Sequence, residues 1–156
     1  SETLIIEDES RLIGRCALPL TLQQIIQKSP IVMIEATLKE RVNHSWENYI
    51  LSNYQSHCRV ATSSEAGFES FATSLRESLS NISKRLGGKR YKDLSAKLEC
   101  AISAHQHGDN EQHKDWIEEL LRDYYDPMYD YQQTVKPRDI LFRGSFTETL
   151  DFLINR

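Results

Sequence analysis

Three short apolar runs along the chain predict buried β-strands. They lie at residues 4–6, 31–34 and 140–142, and each ends in charged or polar residues. Continuous apolar runs of this length, rich in β-branched residues, are typical of central strands in a parallel sheet that is covered on both faces. Because three strands make a thin sheet for a chain of this length, we expect further strands from another chain or from a segment before Ser1.

Between these runs, apolar residues recur every three or four positions, which is the spacing of amphipathic helices. Ser145 and Glu148 have the spacing of a capping box at the start of the last helix. The order of elements predicts an α/β fold with a large helical insertion from about residue 63 to 125. The predicted helices span residues 20–28, 38–54, 63–86, 91–104, 115–125 and 145–154, with polar loops at 55–64 and 105–110.

The composition and net charge of the chain exclude several classes of protein. The chain has 156 residues and a net charge of −4, which argues against a general nucleic-acid coat protein but leaves room for a local basic site. No apolar run approaches the roughly 18 residues that a membrane span needs. The three cysteines, Cys16, Cys58 and Cys100, are far apart, so we expect free thiols in a reducing cytoplasm.

The spacing of the histidines and tryptophans predicts no catalytic or metal-binding role. His105, His107 and His113 have no acidic or thiol partner at metal-ligand spacing, and we expect them on the surface without a bound metal. Trp46 and Trp116 fall on apolar helical stripes, which predicts that both lie in the core.

Acidic residues follow the first apolar run. Asp8 and Glu9 end it, and Arg11 and Arg15 lie four residues apart just beyond. P-loop enzymes hold Mg²⁺ or a catalytic water with carboxylates at a strand end, and a pair of arginines can bracket a phosphate. A solvated strand end with ordinary ion pairs would show the same pattern. The chain contains no GxxxxGK[ST] phosphate loop.

The segment at 84–92 is strongly basic. Five of its nine residues are basic and none is acidic. This charge predicts that Lys84, Arg85, Lys89 and Arg90 contact a nucleic-acid backbone or a phosphate under a lid. The competing interpretation is favourable positive charge at the carboxyl end of a glycine-capped helix.

Tyrosine and aspartate are concentrated at 122–131. Four tyrosines and three aspartates occur in these ten residues. Tyrosines supply flat stacking faces and hydroxyl donors, and aspartates can orient them or pair with an arginine. Rings that pack on the core at a helix end, with a turn before the proline, would explain the same residues. The candidate substrate-facing residues are Arg122, Tyr124, Tyr125, Asp126 and Tyr129.

The motifs IEDESRLIGR, PIVMIEATLKERV, KRLGGKRY and LLRDYYDPMYDYQ, in this order, resemble the carboxy-terminal P-loop domain of bacterial tRNA 2-selenouridine synthases. The resemblance runs from about Leu4 to Leu153. It implies an incomplete P-loop NTPase-like parallel sheet, with residues 1–156 as the carboxy-terminal part of that domain. It also implies replacement of sulfur by selenium at the wobble 2-thiouridine of tRNA, through a geranylated intermediate. The implied co-substrates are selenophosphate and geranyl diphosphate.

The family also carries an amino-terminal rhodanese domain with an active-site cysteine. This sequence contains neither that cysteine nor the phosphate loop, so we expect the chain alone to be inactive and to hold no cofactor of its own. From residue chemistry and order, Asp8 and Glu9 are expected to orient Mg²⁺ or the prenyl diphosphate. Arg11 and Arg15 are expected to bind phosphate or the tRNA backbone, and the basic residues at 84–90 to act as lid or tRNA contacts. Tyr124, Tyr125 and Tyr129 are expected to form a stacking or prenyl-facing wall. The expected partners are tRNA, the rhodanese domain and a second copy of the chain, without a membrane.

Two further function classes stay open. One is a stand-alone tRNA-binding module without catalysis, which would bind tRNA in a salt-sensitive manner. The other is the remnant of a nucleotide-dependent kinase or ATPase, which would bind ATP or Mg²⁺ at Asp8 and Glu9. The missing phosphate loop weighs against this second class.

Overall fold

A computed structural model describes residues 4–8, 12–13, 16–135 and 137–155. The chain divides into two compact units. The first comprises residues 1–36 and 131–156, and the second comprises residues 37–130. The predicted helical insertion at 63–125 lies within the second unit.

The described residues form mostly helix, with four short strands. Two stretches continue a helix with the wider π-helical hydrogen-bond pattern, and we call them the first and second π turns. In chain order the elements are β1 (Leu12–Ile13), β2 (Cys16–Ala17), α1 (Leu20–Lys28), β3 (Ile31–Ile34), α2 (Leu38–Trp46), the first π turn (Glu47–Ser52), α3 (Asn53–Val60), α4 (Ser64–Asn81), α5 (Ser83–Leu86), α6 (Gly88–Gln106), α7 (His113–Leu120), the second π turn (Leu121–Tyr125), α8 (Asp126–Val135), β4 (Ile140–Gly144) and α9 (Phe146–Ile154).

The first unit contains a two-stranded parallel sheet. β3 pairs with β4, with Ile34 opposite Gly144. Helix α9 packs on both strands, and the rings of Phe142 and Phe152 stack with centroids 4.6 Å apart. The strands predicted at 31–34 and 140–142 are therefore confirmed, and the parallel pair is consistent with the α/β class. Their predicted burial is wrong: Ile34, Ile140 and Leu141 are 56%, 43% and 39% exposed, because among the described residues the sheet has only these two strands.

The strand predicted at 4–6 is wrong. Residues 4–8 form no regular element, and Leu4, Ile5 and Ile6 are 81%, 56% and 48% exposed. Among the described residues, β3 and β4 pair only with each other, so no neighbouring strand reaches this run. An apolar run becomes a strand only when a partner satisfies its backbone groups, which composition alone cannot reveal.

The helices of the first unit begin and end where the sequence predicts. α1 starts after Pro19 and ends before Ser29-Pro30, because a residue that precedes proline is restricted to extended backbone. At the start of α9, the backbone N–H of Ser145 donates to the Glu148 carboxylate at 2.8 Å, and the Ser145 hydroxyl accepts from the Glu148 N–H. The predicted capping box is confirmed.

The second unit is a helical bundle with its own core. The apolar stripes of α4 and α6 meet in its centre, where α4 packs on α3 and α6, and α2 packs on α7. Trp116 is buried as predicted, and Trp46 packs against the core. The buried core residues are Val42, Ile50, Phe71, Ala72, Leu75, Leu79, Leu86, Leu94, Leu98, Ala101, Ile102, Trp116 and Ile117.

Helix boundaries in the second unit differ from the prediction most at two places. The helix that starts at Leu38 continues through the first π turn and α3 to Val60, so the loop predicted at 55–64 shortens to 61–63. The helix predicted to stop before Pro127 continues to Val135. The second π turn widens the helix immediately before this proline, which has no N–H to donate and needs room for its ring.

The surface position predicted for His105 and His113 is wrong. Both are buried, and His113 is 0% exposed. The indole N–H of Trp116 donates to Nδ1 of His113 at 3.0 Å, so this ring carries its proton on Nε2, which lies 3.3 Å from Nδ1 of His105. Burial lowers the pKa of His113 to about 4, with a smaller contribution from His105. The residues next to His105 and His113 in the sequence are polar, so the sequence pattern did not indicate that both rings pack among aromatic core residues.

The three cysteines are free thiols, as predicted. None of the described helices is both long enough and apolar enough to cross a membrane.

Candidate nucleic-acid interface

The predicted acidic site is described at only one of its residues. Asp8 is exposed and accepts from the Arg138 guanidinium at 3.2 Å, within the first unit. Arg138 also donates to the backbone carbonyl of Ser29 at 2.8 Å, which fixes its position at the end of α1. Glu9, Arg11 and Arg15 lie outside the described residues. Across the described ranges, no group of three or more His, Cys, Asp or Glu side chains is arranged to hold a metal ion.

The basic cluster, defined as Lys84, Arg85, Lys89 and Arg90, lies where α5 meets α6 in the second unit. Gly87 joins the two helices with φ of 78°, a conformation that favours glycine, and the neighbouring Leu86 is buried in the core. This anchored junction presents all four cationic side chains to solvent.

The members of the basic cluster have no ionic partner among the described residues: none lies within 4.0 Å of a described carboxylate. Most other arginines of the described chain do have such partners. The paired arginines are Arg41, Arg76, Arg122, Arg138 and Arg143. The cluster is therefore positive charge that the described fold does not neutralise by direct pairing.

The position of Lys89 and Arg90 contradicts the structural interpretation of their charge. They lie in the first turn of α6, a helix of 19 residues with no acidic residue in that turn, and not at the carboxyl end of a helix. The amino end of a helix carries partial positive charge, so lysine and arginine there are mildly destabilising, whereas an anion is stabilised. Only Lys84 and Arg85, at the end of the short α5, have the charge position that the helix dipole favours.

A shallow depression runs beside this junction. Its lining includes Gly88, Lys89 and Arg90 together with Asp93 and Glu119. Glu119 is already occupied, since its carboxylate accepts from the Lys97 ammonium at 2.5 Å. The remaining free donors in the depression are cationic side chains and the first N–H groups of α6, a combination that suits a phosphate.

A second group of residues lies on the same unit. The tyrosine cluster, defined as Tyr49, Tyr124, Tyr125 and Tyr129, is carried by the two π turns and the start of α8. The rings of Tyr124 and Tyr125 meet edge to face at 4.9 Å between centroids, and those of Tyr125 and Tyr129 stack at 6.5 Å. The sequence analysis singled out the last three but missed Tyr49, which lies far from the tyrosine-rich segment in the sequence.

The two clusters are neighbours. Burial raises the pKa of Tyr125, and the rings of Tyr124, Tyr129 and Tyr49 contribute in the same direction. The positive charge of Arg85 opposes this shift. Glu119, near the end of α7, lines the same depression as Lys89 and Arg90, and α7 continues directly into the second π turn. The structure therefore brings the basic segment and the tyrosine-rich segment onto one surface of the second unit.

Two of the predicted substrate-facing residues are engaged in ion pairs. Both guanidinium Nη atoms of Arg41 donate to the carboxylate of Asp126, one at 2.8 Å, and this contact lowers the pKa of Asp126. Arg122 donates to Asp123 at 2.8 Å. Arg41 was missed by the sequence analysis because its partner is 85 positions away. This bidentate pair fixes α2 to the start of α8, immediately after Tyr125 in the chain.

The protein is therefore of the α/β class, and its helical unit has an exposed surface that is rich in basic and tyrosine residues. Over residues 1–156 it matches the family model described as the tRNA 2-selenouridine synthase AAA domain. The chain belongs to this family, and the resemblance inferred from its motifs is confirmed.

Curated relatives support the same assignment. Proteins named tRNA 2-selenouridine synthase from Hahella chejuensis, Cupriavidus pinatubonensis and Ectopseudomonas mendocina are 48%, 44% and 42% identical to the chain. The alignments cover 96%, 98% and 97% of this chain. They cover 39%, 42% and 41% of the respective relatives, so the chain spans about two-fifths of their length. No solved structure matches the chain.

Proposed function

We propose that the chain is part of a tRNA-modifying transferase that replaces sulfur by selenium at wobble 2-thiouridine. The reaction runs through a geranylated intermediate, with geranyl diphosphate and selenophosphate as co-substrates, in the cytoplasm. Membership of the tRNA 2-selenouridine synthase AAA family supports this function. β3 and β4 form the carboxy-terminal part of a P-loop-like sheet in this proposal. Asp8 and Glu9 would orient Mg²⁺ or the diphosphate, and the rhodanese domain completes the enzyme.

The contribution of this chain is to bind phosphate groups of tRNA or of the prenyl donor. The observation that carries this assignment is the basic cluster, whose four side chains have no carboxylate partner among the described residues. Two of them stand where the helix dipole disfavours positive charge. A phosphate placed at the start of α6 would remove that unfavourable term and accept hydrogen bonds from the helix N–H groups. Binding there holds the substrate, while bond exchange requires the rest of the enzyme.

Salt-dependent binding of tRNA tests this assignment. The full-length protein is compared with the triple variant Arg85→Ala, Lys89→Ala, Arg90→Ala by fluorescence anisotropy over a range of salt concentrations. Each lost phosphate contact reduces the slope of log K against log salt by about 0.7–0.9, so the triple variant should lose about two to three units of slope. Selenouridine formation should show a raised KM for tRNA with a smaller change in kcat.

Arg59→Ala is the matched control. Arg59 is exposed on α3 of the same unit and has no carboxylate partner among the described residues. It should retain the affinity and the salt slope of the unchanged protein. Equal behaviour of the triple variant and the unchanged protein, or an equal loss in Arg59→Ala, would contradict the assigned role of the basic cluster.

A stand-alone tRNA-binding module without catalysis is the second candidate, because the basic cluster alone accounts for RNA affinity. Both candidates predict the same salt slope. Formation of 2-selenouridine in tRNA by the full-length protein, supplied with selenophosphate and geranyl diphosphate, separates them: product supports the transferase, and binding without product supports the module.

A further inference from the structure

The tyrosine cluster retains exposed aromatic surface that the fold does not bury. Tyr49 and Tyr129 are 66% and 55% exposed. None of the four phenol hydroxyls of the cluster forms a hydrogen bond with a described residue. Buried tyrosines normally find a partner for the hydroxyl, and exposed rings forgo the free energy of burial. The rings and hydroxyl groups of Tyr49 and Tyr129 are thus available to a ligand.

The backbone beneath the cluster is arranged to hold these rings in place. Tyr49 lies in the first π turn, and Tyr124 and Tyr125 lie in the second. π turns are rare and recur at functional sites, because the extra residue redirects side chains out of the regular helical register. The bidentate contact between Arg41 and Asp126 joins the helix before the first π turn to the residue after the second.

We propose that the tyrosine cluster stacks unpaired nucleobases of an RNA loop whose phosphates lie on the neighbouring basic cluster. This inference rests on the proposed function, that the protein binds tRNA. Recognition of single-stranded RNA combines aromatic platforms for bases with cationic groups for the backbone, and phenol hydroxyls can bond to base edges. The depression beside Lys89 and Arg90 reaches Glu119 of α7, and α7 continues into the second π turn, which carries two of the tyrosines.

The surroundings favour a base over an isoprenoid chain as the ligand. A purely apolar chain is bound best in an enclosed apolar cavity. Tyr49 and Tyr129 are instead open to solvent, and they line neither the depression between α3 and α4 nor the one beside Lys89 and Arg90. Flat rings that are exposed on one side and lie beside cations match the requirements of a nucleobase attached to its phosphate.

The test uses the full-length protein and two RNA probes. One is a hairpin with 2-aminopurine in its unpaired loop, and the other is the same stem as a blunt duplex. Tyr49→Leu and Tyr129→Leu keep an apolar side chain but remove the ring, so each should weaken hairpin binding on the order of 10-fold. The quenching of 2-aminopurine on binding should fall in parallel. Duplex affinity and salt slope should stay unchanged, since no cation is removed.

Two controls separate stacking from a general loss of structure. Tyr49→Phe restores the ring without the hydroxyl, so it should recover most of the affinity and quenching. Tyr131→Leu removes an exposed tyrosine of α8 that is outside the cluster and should leave both unchanged.

Hairpin binding and quenching that are the same in the Leu variants and the unchanged protein would overturn the stacking proposal. The proposed function would still stand if the basic-cluster variant lost salt slope. Absence of binding to either RNA would overturn both. If the Leu variants bound geranyl diphosphate more weakly than the unchanged protein but bound the hairpin equally well, the stacking proposal would be overturned in favour of an apolar ligand.

Discussion

Lowering the pH from about 7.5 to about 5.5 should destabilise the second unit through His113. In the folded state, burial keeps this imidazole neutral until the pH approaches its pKa of about 4. In the unfolded chain the same group takes up a proton near pH 6.5. Between these values the unfolded state binds more protons, so the free energy of unfolding falls as the pH falls.

The magnitude follows from the two pKa values. At pH about 5.5 the unfolded group is about one unit below its pKa and the folded group is still neutral, which gives a loss of about 1.4 kcal/mol. The full loss, reached near pH 4, is about 3 kcal/mol. Burial also lowers the pKa of His105, so this neighbour acts in the same direction.

Urea unfolding followed by circular dichroism at the two pH values measures this difference. The variant His113→Asn retains a side-chain acceptor for the Trp116 indole N–H but does not titrate, so its free energy of unfolding should depend much less on pH. His107→Asn removes an exposed histidine and should behave as the unchanged protein. An identical pH dependence in His113→Asn and the unchanged protein would refute the assignment of the effect to this buried ring.

Two further substitutions test how the second unit is held together. Arg41→Lys replaces the bidentate contact to Asp126 with a single one; both side chains are about one-third exposed, so the free energy of unfolding should fall by only about 1 kcal/mol, measured in urea. Gly67→Ala would place a methyl group 2.9 Å from a backbone atom of α3 and should cost about 1–3 kcal/mol, whereas Gly88→Ala meets no atom within 4 Å and should cost little in the same assay.

Elements whose signals are local could be predicted from the sequence. α1 lies between two prolines, α9 begins with a capping box, and β3 and β4 are continuous apolar runs. The same apolar signal at 4–6 failed, because a strand also needs a partner, and pairing is not a local property. His105 and His113 were misplaced for a related reason: their neighbours in sequence are polar, while their neighbours in space are aromatic.

The candidate site could be predicted only in part. The basic segment and the tyrosine-rich segment stand out by composition, but the sequence did not reveal that they share one surface. Arg41 and Tyr49 come to this surface from a distant part of the chain. The sequence also placed Lys89 and Arg90 at the end of a helix, although Gly87 separates two helices and these residues begin the second. That difference reverses the sign of their interaction with the helix dipole.

Because the helix dipole disfavours a positive charge at Lys89, substitutions of this residue test whether the basic cluster contributes to stability or to binding. Lys89→Glu places a negative charge in the first turn of α6, where it should raise the free energy of unfolding of the unbound protein by about 0.3–1 kcal/mol. It should at the same time weaken tRNA binding and reduce the salt slope. Lys89→Gln, which is neutral, should lie between the two in both measurements.

If Lys89 lowers the stability of the unbound protein and its replacement weakens tRNA binding, then this position is unfavourable for the fold but is needed for function. If Lys89→Glu instead destabilised the unbound protein, the charge would have a structural role at this junction. If it stabilised the protein and left tRNA affinity unchanged, the phosphate-binding role of this helix end would be refuted. Urea unfolding without RNA and anisotropy with tRNA, carried out on the same three proteins, distinguish these cases.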